Sequence, residues 1–244
     1  MSRINPVIIF TSIGAGASSG RALSHWILIG IAWLLALTIV LPQPIAYSQI
    51  LAAYPPIDAV VDRVAASYPP TNKYLITRNG KRIGTHQLNF TVSGSEVDVS
   101  IESKIRVRIL GITVYALDYI ASEKWRNNQL VFATATTTEN KKSNTVTYQQ
   151  ADAIAEAQFA SNHWHPGVLR TNSLFNTLTG EVEDVEIEAL GSDQIELGGV
   201  PIQSLHFRYG YEDPVESWYD LSGRWLQLKF SAKDKSIIRY SRAP

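Results

Sequence analysis

Cysteine is missing from this chain of 244 residues, and methionine occurs once. Without cysteine there is no disulfide, no thiolate metal site, no cysteine nucleophile and no attachment through a lipid-modified N-terminal cysteine. Stability must come from packing, and a domain of near 200 residues can bury roughly 70% of its unfolded surface. No Gly-x-Ser-x-Gly, Ser-x-x-Lys, phosphate loop or dinucleotide fingerprint is present, so nucleophilic and nucleotide chemistry have no motif. An excess of positive charge is missing as well. Residues 1–46 hold Arg3 and Arg21 and no acid, so the 22 basic and 22 acidic residues of the whole chain become 20 and 22, a net charge of −2. That balance argues against a nucleic-acid partner.

What is present begins with one long apolar run. Ile27 to Leu41 carries no charge, and the apolar character reaches back to Ala22 except at Ser24 and His25. With basic residues upstream and Pro42 and Pro44 behind it, the run reads as a signal peptide over residues 1–46, cut after Ala46. The alternative is an uncleaved membrane anchor over Ala22–Leu41, just long enough to span. Both place the rest of the chain outside the cytoplasm, in the periplasm or cell envelope. Residues 47–72 then form a linker and one short amphipathic helix. Ile57, Val60, Val61 and Val64 fall on one helical stripe, which must dock on something apolar.

From residue 73 to 244 the pattern is antiparallel β. Asn79-Gly80 is a strong hairpin signal. Val97, Val99, Ile101, Ile105, Val107 and Ile109 alternate with polar residues along a strand of about fourteen residues. Strands this long accumulate twist and cannot lie flat. The expected fold is therefore mainly β: a single large antiparallel barrel or strongly curved half-barrel of about 10–12 strands. Ile112–Arg126 is apolar on both faces, and Ala151–Phe159 reads as a further short strand. Gly191-Ser192-Asp193 reads as a turn, and a meander of hairpins completes the chain. Between the two sets of strands lies Ser161–Glu181, with Pro166, Gly167 and Gly180 as turn residues.

Four separated stretches carry a resemblance: Gly80-Lys81-Arg82-Ile83-Gly84-Thr85-His86; Glu123-Lys124-Trp125 with Leu130 and Thr134–Asn140; Trp164 with Leu174-Phe175-Asn176-Thr177 and Thr179-Gly180; and Trp218-Tyr219-Asp220 with Gly223-Arg224-Trp225. In this order they resemble an exported bacterial family, domain of unknown function 6134, over about Lys73 to Tyr240. The resemblance implies an envelope protein with a curved antiparallel fold, similar in fold alone to periplasmic lipoprotein-carrier half-barrels. It implies no activity.

Several residues are candidates for chemistry. His163-Trp164-His165 has the spacing that puts two imidazoles on one strand face, yet no acid follows until Glu181. Two loop histidines with ordinary hydrogen bonds is the plainer reading, and no metal or cofactor is expected. Glu123 beside Trp125, and Asp220 beside Trp218, are carboxylates next to aromatic rings, a setting that raises a pKa. With His163 and His165 they make the catalytic candidates of an envelope hydrolase or lyase; ion pairs with Arg126 or Arg224 would make them structural. The aromatic residues carry more information. Tyr115, Tyr119, Trp125, Trp164 and Trp218, with Asn176, are the candidate ligand-binding residues. The leading expectation is a non-enzymatic binder or carrier of an apolar or amphiphilic, lipid-like molecule in the concave face. The alternatives are the enzyme and a scaffold for another envelope protein.

Overall fold

The computed structural model describes residues 61–127, 129–150, 159–210 and 214–244. The expected leader, the linker before residue 61 and nearly all of the strand expected at Ala151–Phe159 lie outside those residues. The described residues start with a helix, α1 (Val61–Ser67), and continue through β1 (Thr71–Arg78), β2 (Lys81–Ser93), β3 (Glu96–Ile109), β4 (Ile112–Arg126), β5 (Gln129–Glu139) and β6 (Lys142–Gln149). After a 3-10 turn at Pro166–Arg170 come β7 (Ser173–Phe175), β8 (Val182–Asp184), β9 (Ile187–Leu197), β10 (Val200–Tyr209), β11 (Val215–Asp220), β12 (Trp225–Ser231) and β13 (Ile237–Arg242).

Eleven strands form one sheet in the order β6-β5-β4-β3-β2-β1-β13-β12-β11-β10-β9, and β7 pairs with β8 separately. Two sequential meanders meet at β1 and β13, which pair antiparallel from Tyr74↔Arg242 to Arg78↔Ile238. The free edges are β6 and β9, so the sheet is the open half-barrel of the two expected forms and not the closed one. The turn expected at Gly191-Ser192-Asp193 is absent. Strand β9 runs through it, because Gly191 (φ +120) sits where a register shift against His206/Phe207 absorbs one extra residue as a bulge.

The alternation of β3 orders the core. Val97, Val99, Ile101, Ile105 and Val107 are buried on one face, while Glu96, Asp98, Ser100, Lys104 and Arg108 are exposed on the other. Helix α1 packs on β2 and β3 through Val64, Ala65 and Tyr68. The Tyr68 hydroxyl donates to the Trp164 carbonyl at 2.8 Å and accepts from the Trp225 amide at 2.7 Å. Helix and sheet thus share hydrogen bonds that a two-turn helix could not make alone.

Curvature follows from what the two wings grip. Tyr119 on β4 donates its hydroxyl to Asn162, and Tyr219 on β11 donates to the carbonyl of His163, the next residue. In a flat sheet those strands would stand six steps of about 4.8 Å apart, roughly 29 Å. Only a curled sheet lets both touch adjacent residues. Topology supplies the filling: the chain must pass from edge β6 to edge β9, and residues 159–185 of that connection lie against the inner face as a plug. Phe159, Trp164, Val168, Leu169, Leu174 and Phe175 join the main core from this segment.

Candidate functional site

Where plug meets sheet, polar side chains collect in two places. The first is built on Glu123, which β4 points inward and which is 1% exposed. Oε2 accepts from the indole nitrogens of Trp125 (2.9 Å) and Trp164 (2.8 Å), and Oε1 accepts from the Asn162 amide (2.6 Å). Burial pushes this carboxyl above the usual range, and the three donors pull it back. The carboxylate works as a clamp that seats the plug on β4. His165 lies beside it, its ring stacked on Trp125 with centroids 5.4 Å apart and its Nδ1 accepting from the Gly167 amide. A side chain at Gly167 would collide with Phe159 and with that imidazole, so the turn needs glycine.

The second place is a cavity of about 120 Å³ between the plug and β2, β3, β4, β5, β12 and β13. Its walls include Ile105, Leu117, Trp225, Leu228, Phe230 and Tyr240. Several polar side chains also line it. His86 Nδ1 lies 2.6 Å from Ser103 Oγ, His163 Nδ1 lies 3.2 Å from the Tyr209 hydroxyl, and the Tyr119 hydroxyl contacts Asn162 and Thr177. His86 Nε2 is buried and has no hydrogen-bond partner among the described residues. Whichever tautomer is present, that nitrogen is an unmet donor or acceptor. Burial holds both imidazoles neutral: His86 is pushed down to about 3, with the His163 charge adding to the effect, and His163 to about 4.

The candidate residues divide among these places. Tyr115, Tyr119 and His163 line the cavity. Glu123, Trp125, Trp164 and His165 form the clamp. His163 and His165 do not share a strand face, because residues 161–170 are not a strand and His163 takes φ +60. Asp220 closes the β11–β12 turn, accepting from Ser222 and from the Arg224 amide and guanidinium. Trp218 stacks on His206 at 4.2 Å in a small separate cluster with Leu197 and Leu226. Asn176 braces the plug by donating to Glu183 and accepting from the Leu178 amide. No hydrogen bond among the described residues joins any two of His163, His165, Glu123 and Asp220.

Sequence reasoning missed Ser103, Thr137 and Asn162, and gave His86 no role of its own. The signal was there for two of them. Ser103 and Thr137 are polar residues at inward positions of otherwise apolar alternating strands.

Residues 74–243 match the family described as Domain of unknown function (DUF6134). The chain belongs to this family. The DUF6134 fold is similar to the crystal structure of a beta-barrel-like protein of domain of unknown function DUF1849 from Brucella abortus, with a TM-score of 0.48 and 10% identity over 71% of this chain and 95% of that one. No curated protein matches the DUF6134 chain.

Proposed function

We propose that this protein is an exported, non-enzymatic binder of a small amphiphile, held in the cavity beside His86. One observation carries the reading: an apolar cavity whose buried histidine offers Nε2 to nothing among the described residues. A buried polar atom without a partner costs roughly 1–3 kcal/mol, which a ligand hydroxyl would recover. Size narrows the ligand. An apolar cavity of about 150 Å³ holds benzene, so 120 Å³ suits one ring or the last carbons of a chain, with a hydroxyl at His86. A lipid-like ligand would therefore enter by one end, since the plug occupies the rest of the inner face. The charge-free run Ala22–Leu41 supports the exported address and, if uncleaved, a membrane tether.

Thermal unfolding with p-cresol, 1-hexanol and toluene tests this. The two hydroxylated compounds are expected to stabilise the protein by about 1.4 kcal/mol at ten times their dissociation constant. Toluene should act more weakly, and His86→Phe should abolish the difference. Equal shifts in His86→Phe and the parent protein, or no shift at all, would reject the site.

A further inference from the structure

Strands β3 and β4 outrun their neighbours. The β2–β3 register ends at Gly84↔Ile105, and the β4–β5 register at Leu117↔Glu139. Beyond those pairs Arg106–Ile109 and Ile112–Tyr115 pair in the strand register only with each other, while Ala116 still exchanges hydrogen bonds with Asn140. The hairpin thus parts from β2, which itself runs on to Lys81, and its last four to five residues, roughly 15 Å, pass the end of β5 at Glu139. Gly84 marks the fork: a Cβ there would lie 2.1 Å from the Lys104 carbonyl oxygen, so β2 and β3 are in closest contact just before they part.

The projecting tip is apolar. Leu110 is 97% exposed, Ile112 69%, Ile109 48% and Val114 38%. Leu110 also sits at φ +50 and Gly111 at φ +82, both left-handed. The hairpin turns at Asn79-Gly80 and Asn140-Lys141 take the same region with asparagine first, the residue that tolerates it. Leucine there is strained, and among the described residues its side chain gains no cover. An exposed apolar residue in a strained turn is a mark of function.

Beside the tip cations outnumber acids. A cleft in the fork is lined by Arg78, Lys81, Arg82, Lys104, Arg106 and Arg108. Arg78, Lys104 and Arg106 pair with Asp234, Glu102 and Asp118. Lys81, Arg82 and Arg108 are exposed and have no acidic partner among the described residues. We infer that the β3–β4 hairpin tip and these three cations dock the protein on an anionic lipid bilayer, the apolar tip entering the interface and the cations meeting the headgroups. A narrow protruding tip suits a deformable surface better than a flat protein face, and the uncompensated positive charge selects an anionic one. The docked end is also the end that carries Tyr115 and Phe230 of the cavity wall, as the pairings Val107↔Tyr115 and Phe230↔Ile238 place them level with the fork.

Because the chain lacks cysteine, a single label reads the tip alone, whatever residues 22–41 do. The full chain carrying Ile112→Cys, labelled with nitrobenzoxadiazole, is mixed with vesicles of phosphatidylcholine alone or of phosphatidylcholine and phosphatidylglycerol at two to one. Blue-shifted, brightened emission is expected with the mixed vesicles, lost in high salt, while the same label at Ser95→Cys, at the opposite end of β3, stays unchanged. Adding Leu110→Asn, a turn residue that relieves the strain and so preserves folding, should weaken tip insertion roughly tenfold. Arg82→Ser and Arg108→Ser should each weaken it about fivefold. No spectral change with the mixed vesicles, equal change with neutral ones, or indifference to Leu110→Asn would overturn the proposal. So would a lipid-independent, concentration-dependent change, which would make the tip a contact between protein molecules.

Discussion

At Glu123 both carboxylate oxygens accept hydrogen bonds, from two indoles and an amide, and no space is left. At His86, on the same inner face, one ring nitrogen holds Ser103 and the other, beside a cavity, faces no partner among the described residues. Both side chains are buried, and burial shifts both away from their charged forms. Saturation separates them. A buried polar group whose partners are all supplied by the chain holds the fold together; an unmet one matters for binding only where a cavity adjoins it, as at His86 and unlike the equally unmet His165 Nε2 packed in the clamp. Carboxylate-beside-aromatic, which looked like a general acid in the sequence, belongs to the first kind here.

The largest expected effect tests the clamp. Glu123→Ala would leave Trp125, Trp164 and Asn162 with donors and no acceptor, at roughly 1–3 kcal/mol each. Loss of several kcal/mol in urea unfolding is expected, a large share of the 5–15 kcal/mol typical of a domain. Glu123→Gln should recover part of it, because one oxygen remains to accept. A stable Glu123→Ala protein that no longer binds p-cresol would reverse the two assignments.

Acid comes next. His86, His163 and His165 are pushed by burial to about 3, 4 and 3, against an ordinary value near 6.5. Between those limits the unfolded chain binds more protons than the folded one, so stability is full above pH 6.5 and declines as the pH falls. Each histidine contributes up to about 1.4 kcal/mol per pH unit. Glu123, raised by burial, works in the opposite direction over the carboxylate range, and one group is outweighed by three. A thermal midpoint that falls steeply from pH 6.5 to 4.5 is expected, and His165→Gln should flatten it.

The smallest effect is the most discriminating. His86→Phe keeps an aromatic ring and removes the unmet nitrogen, though the ring is somewhat larger and strands Ser103. It should cost about 1–3 kcal/mol, while selectivity for p-cresol over toluene disappears. If Glu123→Gln and His86→Phe were equally destabilising, the distinction between clamp and site would be lost.

Much of this was legible in the chain. Period-two alternation in β3 fixed its buried face, and its length implied curvature. Asn79-Gly80 located a turn that the structure shows. The open edges were not legible, because closure depends on which strands pair across the whole chain. Nor was the plug. Ser161–Glu181 stood out as irregular, but nothing local shows that an edge-to-edge connection must cross the hollow and fill it. Glu123 was singled out without its partners, since Asn162 and Trp164 lie about forty residues away in sequence.

The seam between β1 and β13 has a consequence for assembly. Each half of the sheet is a simple meander whose neighbours follow one another in the chain, so each can form early from nearby pieces. Their union must wait for the final strand, which partners residues more than 150 positions upstream. Until then the first strand carries a bare row of amides and carbonyls, a sticky border for a newly made polypeptide. Loss of the last eight residues would leave two halves unjoined along the sheet, each with an open flank, held only through the plug between them.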